Sequence, residues 1–465
     1  MSLDLRLLNL SRRGALAALG IAAAAPAFGR AGRKAGKLPN IIYIMADDMG
    51  YADLGCYGSR NHKTPAIDRM ARRGVRFTQA YSNSCVCSPT RTALLTGCYQ
   101  GRFPIGLEEP VAFNGHELSL PRNIATLPGE LRRLGYRTAL VGKWHLGEPP
   151  ASSPLDFGYD YFFGTHSGGT DYFAHATTLS GHRLGELYEN REKISREGYL
   201  TDLFGIVAVD QIRAAQRVGV PFFISLHFTA PHWPWQTPDD AQGASAENDA
   251  RDMQGGNVRT YGRMMESMDA NIDRVMRELA RLGLEDDTIV MFTSDNGGER
   301  FSDSWPLTGM KGELLEGGIR VPLIVSWPKG LPAGAVSEQV SMSMDAMPTL
   351  IAAVGGQSPQ GIDGVSLLPN LRDPARVSAR DIFWRHKARR QFAVRSGDWK
   401  YLRIEDKEFL FNLTIDERER ADLKSIEPDR LAAMRSTSQD WNARMLDYPA
   451  RSYSEDMKGK FADRY

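Results

Sequence analysis

Cys87-Ser88-Pro89-Thr90-Arg91 sets a nucleophile and a cation four residues apart. The stretch continues as Thr92-Ala93-Leu94-Leu95-Thr96-Gly97, the form of a loop feeding a helix. Pro89 suits the first turn, where a missing N–H costs nothing, and Gly97 suits a C-terminal stop. Cys87 then sits at the helix N-terminus, where unpaired N–H groups and the positive end of the dipole favour an anion. Arg91, at i+4, lies on the same face about 6 Å along the axis. The combination suits an ester of a tetrahedral oxyanion.

Other polar groups can join that site. Asp47-Asp48 and Asp295-Asn296 offer oxygen ligands only, which suits a hard cation such as Ca²⁺ or Mg²⁺. Such a cation would neutralise substrate oxygens and polarise the transferred group. Taken singly, each pair fits turn or cap chemistry equally well. Lys143 and His145 are two apart after an apolar run, so an extended loop would project both into one crevice. There, His145 can act as base or acid near neutrality and Lys143 can clamp an oxyanion. His232 stands in Pro231-His-Trp-Pro234, a stiff loop able to hold a general acid, and Lys311 can pair with a substrate anion. His227, inside an apolar run, reads as a core histidine; His166, His175 and His182 have no assignable partner.

These groups need elements to position them. Asn40 to Ala46 is a continuous apolar run of buried-strand type, and further strands are expected over 75–80, 136–141, 221–228, 288–293 and 321–327. Helices are expected over 64–74, 126–135, 201–217 and 258–282; the last carries the stripe Met265, Met268, Ile272, Val275, Met276 and Leu279, which reads as core packing. Residues 149–196 read as a long excursion with little regular structure. The alternation predicts an α/β fold with a doubly wound, mostly parallel sheet sandwiched by helices. Ligands bind outside the carboxyl ends of such strands, where Asp47-Asp48, Lys143, His232 and Asp295-Asn296 all fall. From 374 to 465 the pattern changes to short strands and one late helix, a smaller α+β domain on an antiparallel sheet.

The remaining features bound the function. The chain has 465 residues and a formal charge of +1; Arg6, Arg12 and Arg13 against Asp4 leave +2 in the first 27 residues and −1 in the rest. A nearly neutral body lacks the basic field of a nucleic-acid binder. Ser11-Arg12-Arg13, the Ala/Leu run after it and Ala25-Pro26-Ala27 have the layout of a twin-arginine export signal over 1–27, with a flexible linker over 28–37 and a catalytic domain over 38–373. No later stretch approaches a membrane span. The destination is periplasmic or secreted. Of the four cysteines, Cys56, Cys85, Cys87 and Cys98, no pair has Cys-x-x-Cys spacing. With Cys87 reserved for chemistry, at most one bridge forms.

Four segments in order, Cys87-x-Pro-x-Arg91 with Leu95-Thr-Gly97, Gly142-Lys-Trp-His-Leu-Gly147, Asp295-Asn-Gly-Gly298 and Gly317-Gly-Ile-Arg-Val-Pro322, resemble the type I, arylsulfatase-like sulfatases of the alkaline-phosphatase superfamily. The resemblance runs from about Leu38 into the C-terminal domain. Cys85 cannot replace Cys87, lacking Pro at +2 and Arg at +4; Cys98 departs from many relatives and leaves the motif intact.

The resemblance implies a sulfuric ester hydrolase that converts sulfate monoesters, of carbohydrate or aryl type, to alcohol and inorganic sulfate. Cys87 would be oxidised to formylglycine by a maturation enzyme, and its hydrate would attack sulfur to give a covalent sulfo-enzyme. His232 and Lys311 would assist the leaving group, His145 would deprotonate the second hydroxyl, and Arg91 and Lys143 would stabilise hydrate and sulfate. Asp47, Asp48, Asp295 and Asn296, with the group at position 87, would hold one calcium ion, magnesium fitting less well. The implied partners are a sulfated small molecule or glycan, the formylglycine-generating enzyme and the twin-arginine export machinery. Two other readings are open: a phosphonate monoester or phosphodiester hydrolase of the same superfamily, and a non-catalytic sulfated-glycan-binding relative with Cys87 unmodified. Tyr161, Phe162, Phe163, Tyr172 and Phe173, within 159–188, either stack on substrate rings or pack their own loop down.

Overall fold

Asn40-Ile-Ile-Tyr-Ile-Met-Ala46 is apolar at nearly every position and is stable only where both faces are covered. In the computed structural model, which describes residues 38–112, 118–179, 182–240 and 255–450, this run is strand β1 (Asn40–Ala46), buried throughout. The export signal and linker expected over 1–37 lie outside the described residues. Further strands are β2 (Gly74–Phe77), β3 (Ala80–Tyr81), β4 (Arg137–Lys143), β5 (Tyr161–Thr165), β6 (Ala176–Leu179), β7 (His182–Gly185), β8 (Tyr188–Glu189) and β9 (Glu192–Lys193). They continue as β10 (Phe222–His227), β11 (Thr288–Ser294), β12 (Leu323–Ser326), β13 (Ala335–Ser337) and β14 (Ser341–Met342).

Ten of these form one sheet in the order β13-β2-β12-β11-β1-β10-β4-β5-β8-β9. The central block β11-β1-β10-β4-β5 is parallel, and β12 and β8 join it antiparallel on either side. Alternate residues of β1 feed two cores. Ile42 and Ile44 pack with α1 (Pro65–Arg72), while Ile41, Tyr43 and Met45 pack with α2 (Cys87–Thr96) and α3 (Leu127–Arg133). The first face also takes α4 (Leu200–Val218) and α5 (Val258–Arg281), completing a doubly wound α/β sandwich. Asn257 caps α5 by accepting from the amides of Arg259 and Thr260, and Met265, Met268, Ile272, Val275 and Leu279 of its stripe are fully buried. Among the described residues no helix is long and apolar enough to cross a membrane.

Residues 149–196 differ from the sequence expectation, because they carry strands β5 to β9. These strands are two to five residues long, too short to show an alternation. Gly164 pairs with Gly142 of β4, and a Cβ on Gly164 would stand 1.9 Å from the Gly142 carbonyl oxygen. Only glycine allows β5 to extend the parallel block there. The aromatics of this region are core residues: Phe162, Phe163 and Tyr172 are fully buried, and Tyr161 and Phe173 pack against the α4–α5 side. That answers the stacking alternative in favour of packing.

Beyond the short α6 (Glu316–Ile319), α7 (Ala346–Ala353) and α8 (Leu368–Arg372), a second sheet follows. It is an antiparallel meander of β15 (Asp381–His386), β16 (Gln391–Ser396), β17 (Trp399–Ile404) and β18 (Lys407–Asn412), followed by α9 (Pro428–Asn442). Its core is shared with the body: Trp384 and Tyr401 cluster with Tyr81, Ala93, Leu314 and Ile319. Trp384 also donates from Nε1 to the Ser82 carbonyl at 2.8 Å.

Candidate active site

The carboxyl ends of β1, β4, β10 and β11 lie along one edge of the sheet, because these four strands run parallel and in register. Asp47 and Asp48 leave β1, Lys143 closes β4, His232 follows β10, and Asp295 and Asn296 leave β11. The structure brings these groups together with Cys87, Arg91, His145 and Lys311.

Cys87 is the first residue of α2, a helix with every side chain buried. Val86 precedes it and gives the opening amides of the helix no side-chain cap. Gly97 ends the helix at φ 67°, in the left-handed region. The Cys87 thiol lies 3.9 Å from Asp48 Oδ1. Burial, then the neighbouring Asp47 charge, holds the thiol well above its ordinary range. An unmodified Cys87 is therefore a poor thiolate nucleophile in this site.

Ligand atoms of Asp47, Asp48, Cys87 and Asp295 all lie within 4.8 Å of one another. Two ligands of one calcium ion at about 2.4 Å each can be no farther apart than about 4.8 Å, so the cluster meets the size condition for one ion. Asp47 Oδ1 and Asn296 Oδ1 are buried acceptors with no hydrogen-bond donor among the described residues. Orphaned oxygens beside three carboxylates fit a hard cation.

Protein cations already neutralise part of this charge. Lys143 Nζ contacts Asp47 Oδ2 at 2.5 Å, and Lys311 Nζ contacts Asp48 Oδ2 at 2.6 Å and Glu299 Oε2 at 3.5 Å. Arg91 donates from Nε and Nη2 to Asp295 Oδ2 at 3.1 and 2.7 Å and from Nη1 to the Lys143 carbonyl at 3.1 Å. Arg91 is thus joined to the acidic cluster, bracing Asp295. Burial raises the Asp48 carboxyl, but Lys311, His232 and Lys143 outweigh it and hold the group well below the usual carboxylate range. Burial and then Asp47 push Asp295 up to about 7 against the pull of Arg91. Burial disfavours the Lys311 ammonium, yet Asp48, Cys87 and Glu299 keep its pKa well above the ordinary value.

The two histidines have fixed tautomers. His145 sits at φ 56°, so its loop is not extended but turned back, and Nε2 donates to the Val111 carbonyl at 2.8 Å. That leaves Nδ1 as the lone-pair nitrogen, buried and without a hydrogen-bond partner among the described residues. Burial, then Lys143 and Arg91, keep His145 neutral, far below its usual range. His232 donates from Nδ1 to the Trp233 carbonyl at 2.6 Å and turns Nε2 toward Asp48 Oδ2 at 3.5 Å. Burial pushes it down to about 3, with Asp48 opposing and Lys311 and Lys143 assisting.

Two residues that the sequence did not assign to the polar cluster complete the constellation. Glu299 is the second carboxylate on Lys311, and its position three residues after Asn296 was the available signal. Tyr172 donates to the His232 carbonyl at 2.8 Å, a contact between segments 60 residues apart that no local pattern announces. His227 is buried at the end of β10, and burial keeps it neutral, as befits a core histidine. His166 adjoins the cluster only through its backbone, its carbonyl accepting from the His145 amide at 3.2 Å while its ring packs against Phe162 and Tyr188, and His175 rests on the Gly198 carbonyl. Cys56, Cys85, Cys87 and Cys98 are all free thiols.

Comparison with known proteins identifies the family of the chain. Residues 39–356 match the family described as Sulfatase, and residues 311–450 match the one described as N-sulphoglucosamine sulphohydrolase, C-terminal. The chain is 32% identical over 383 residues to the N-acetylgalactosamine-6-sulfatase of Rattus norvegicus, covering 78% of this chain and 71% of that protein. It is 34% identical over 400 residues to arylsulfatase A of Bos taurus, covering 80% and 76%. The fold is similar to the crystal structure of Ps i-CgsB in complex with k-i-k-neocarrahexaose, with a TM-score of 0.81 and 28% identity over 91% of this chain and 97% of that one. The chain belongs to the sulfatase family, and its activity is the hydrolysis of sulfuric esters.

Proposed function

We propose that the substrate is a sulfated carbohydrate and that Cys87 acts after conversion to formylglycine. The observation that carries the mechanism is the convergence of Cys87, three carboxylates and two lysines on one sheet edge, with the thiol itself held protonated. The names of the relatives, an N-acetylgalactosamine-6-sulfatase and a structure bound to neocarrahexaose, support the carbohydrate class.

Formylglycine would supply a hydrated aldehyde, with one hydroxyl as nucleophile toward sulfur and a second through which sulfate can be released. The chain's own groups serve that chemistry. Asp47, Asp48, Asp295 and Asn296 would hold a calcium ion, which would supply charge neutralisation and polarisation of the sulfate oxygens. Lys311 keeps its ammonium and places positive charge beside Asp48, on the side where His232 Nε2 also points. Lys311, which carries its proton, stabilises and protonates the departing alcohol oxygen, and His232 Nε2 assists there once it has taken up a proton. Lys143 steadies Asp47 and, through it, the attacking end. His145 Nδ1, with its lone pair fixed by the Nε2–Val111 bond, accepts the proton from the second hydroxyl.

Cys87 is 1% exposed, so a maturation enzyme reaches it only before the fold closes. We place conversion ahead of twin-arginine export, which carries folded proteins toward the periplasm or the medium. Formylglycine found only in the exported pool, with intact Cys87 in the cytoplasmic one, would overturn that order.

The experiment is a turnover comparison across sulfated mono- and disaccharides, an aryl sulfate and an aryl phosphate diester, with Cys87→Ala as control. Desulfation of a saccharide that Cys87→Ala abolishes is the expected result. Preference for the phosphate diester would transfer the site to the phosphodiesterase reading, and saccharide binding with no turnover would leave a binding protein.

A further inference from the structure

Lys311 lies on a loop that belongs to the body in sequence but is held from the C-terminal sheet. On the body side, the Lys311 amide donates to the Gly298 carbonyl and the Gly312 amide to the Cys85 carbonyl, both at 2.9 Å. Two further backbone groups of the loop, the Gly312 carbonyl and the Leu314 amide, turn to Gln391, the fully buried first residue of β16. Gln391 Nε2 donates to the Gly312 carbonyl at 2.9 Å and to the Ala388 carbonyl at 3.1 Å, and Oε1 accepts from the Leu314 amide at 2.9 Å. A carboxamide carries one donor face and one acceptor face, so it stands in for the neighbouring strand this loop lacks. Both ends of the loop are fixed from the same side: the Glu316 amide donates to Glu419 Oε2 at 2.6 Å and Thr308 Oγ1 to the Arg418 carbonyl at 2.6 Å.

Gly312 is therefore a bridge, with its N–H on the Cys85 carbonyl, two residues before Cys87, and its C=O on Gln391 of the C-terminal sheet, one residue from the lysine that meets Asp48. We infer that Gln391 is a positioning residue for Lys311, so that the C-terminal sheet sets the place of the Lys311 ammonium in the active site. The inference rests on the role given to Lys311 above. Gln391 touches neither substrate nor reacting atoms; it acts through the loop.

The test is a double-mutant cycle of Gln391→Met and Lys311→Ala on the matured full chain, with hydrogen exchange of the peptide spanning 309–316. Gln391→Met keeps the side-chain volume and removes both hydrogen bonds to the loop. The expected fall in kcat is about 10- to 100-fold, the scale of a displacement of about 1 Å at a reacting centre. In the Lys311→Ala background the same substitution should change kcat by less than about 3-fold, because residues acting through one another are not additive. Exchange in 309–316 should rise, while the peptides of β1, β10 and β11 keep their protection. Multiplicative effects in the cycle, or unchanged exchange in 309–316, would overturn the inference. Should Lys311→Ala retain full kcat, the role of Lys311 falls and the inference with it, an outcome distinct from multiplicative effects, which remove the inference alone. If Gln391→Met does not fold, Gln391→Glu, which keeps the acceptor for Leu314 and loses the donor to Gly312, is read by the same criteria.

Discussion

Lys400 is fully buried between two fully buried carboxylates, with Nζ 2.9 Å from Glu316 Oε1 and 2.8 Å from Glu419 Oε1. Glu316 also accepts from the Tyr81 hydroxyl at 2.7 Å and faces Arg320 at 3.6 Å. Lys400→Met keeps the stem of the side chain and removes the charge, leaving two carboxyl groups together in the core. Removing one partner of a buried ion pair costs about 3–5 kcal/mol. The pH dependence carries a definite sign. Burial raises Glu316, but Lys400, Arg320 and Arg395 pull it to about 2, below its reference of 4.5. Its contribution is present above that reference and is lost as pH falls toward the folded value. Burial lifts Glu419 to about 7 despite Lys400, so its contribution runs the other way, present below the reference of 4.5 and lost as pH rises through the folded value. Without Lys400 both carboxyls lose their largest opposing charge and both folded pKa values rise. The deficit of Lys400→Met should therefore be deeper at pH about 8 than at pH about 5. Urea unfolding of wild type, Lys400→Met and Lys400→Met/Glu419→Gln at both values reads it, and the double variant should recover more than half of the loss. A deficit under about 1 kcal/mol, or one independent of pH, would refute the reasoning.

Two further outcomes follow from the site. Saturating calcium should raise the melting temperature of the wild type, a stabilisation of about 2.7 kcal/mol at one hundred times Kd. Asp295→Asn should abolish most of that rise and leave Arg91 with the Lys143 carbonyl and the more distant Asp47 carboxylate, read by melting with and without a chelator. His145→Ala should lower steady-state turnover about 10²- to 10⁴-fold and leave a stoichiometric burst of alcohol, read by stopped-flow on an aryl sulfate; an unchanged steady-state rate would remove His145 from its place as base.

The parallel block was legible because its strands are buried on both faces and read as unbroken apolar runs, as in Asn40–Ala46 and Thr288–Ser294. The polar pairs after those runs pointed to one edge for the same reason: parallel strands present their carboxyl ends together. Strands β5 to β9 escaped notice because each is too short for a period, and β5 depends on the contact of Gly164 with Gly142, which appears only in three dimensions. Helix α7 escaped as well; Ala346-Met-Pro-Thr-Leu-Ile-Ala-Ala353 is buried over most of its length and carries little amphipathic signal. At the site, residue types could suggest that Arg91 and Lys311 face an anion but not which anion. The structure gives Asp295 to Arg91 and both Asp48 and Glu299 to Lys311. Gln391 lies 80 residues beyond Lys311, and an amide in a strand carries no mark of the loop it holds.

The central claim is that Cys87 is a precursor and not the working nucleophile. Mass spectrometry of the peptide carrying Cys87, on protein whose sulfatase turnover has been measured in parallel, tests it most directly. The account predicts an aldehyde at position 87, the sulfur replaced by oxygen, in a fraction that matches the active fraction of the preparation. Full turnover from protein whose Cys87 is wholly an unmodified thiol would contradict it.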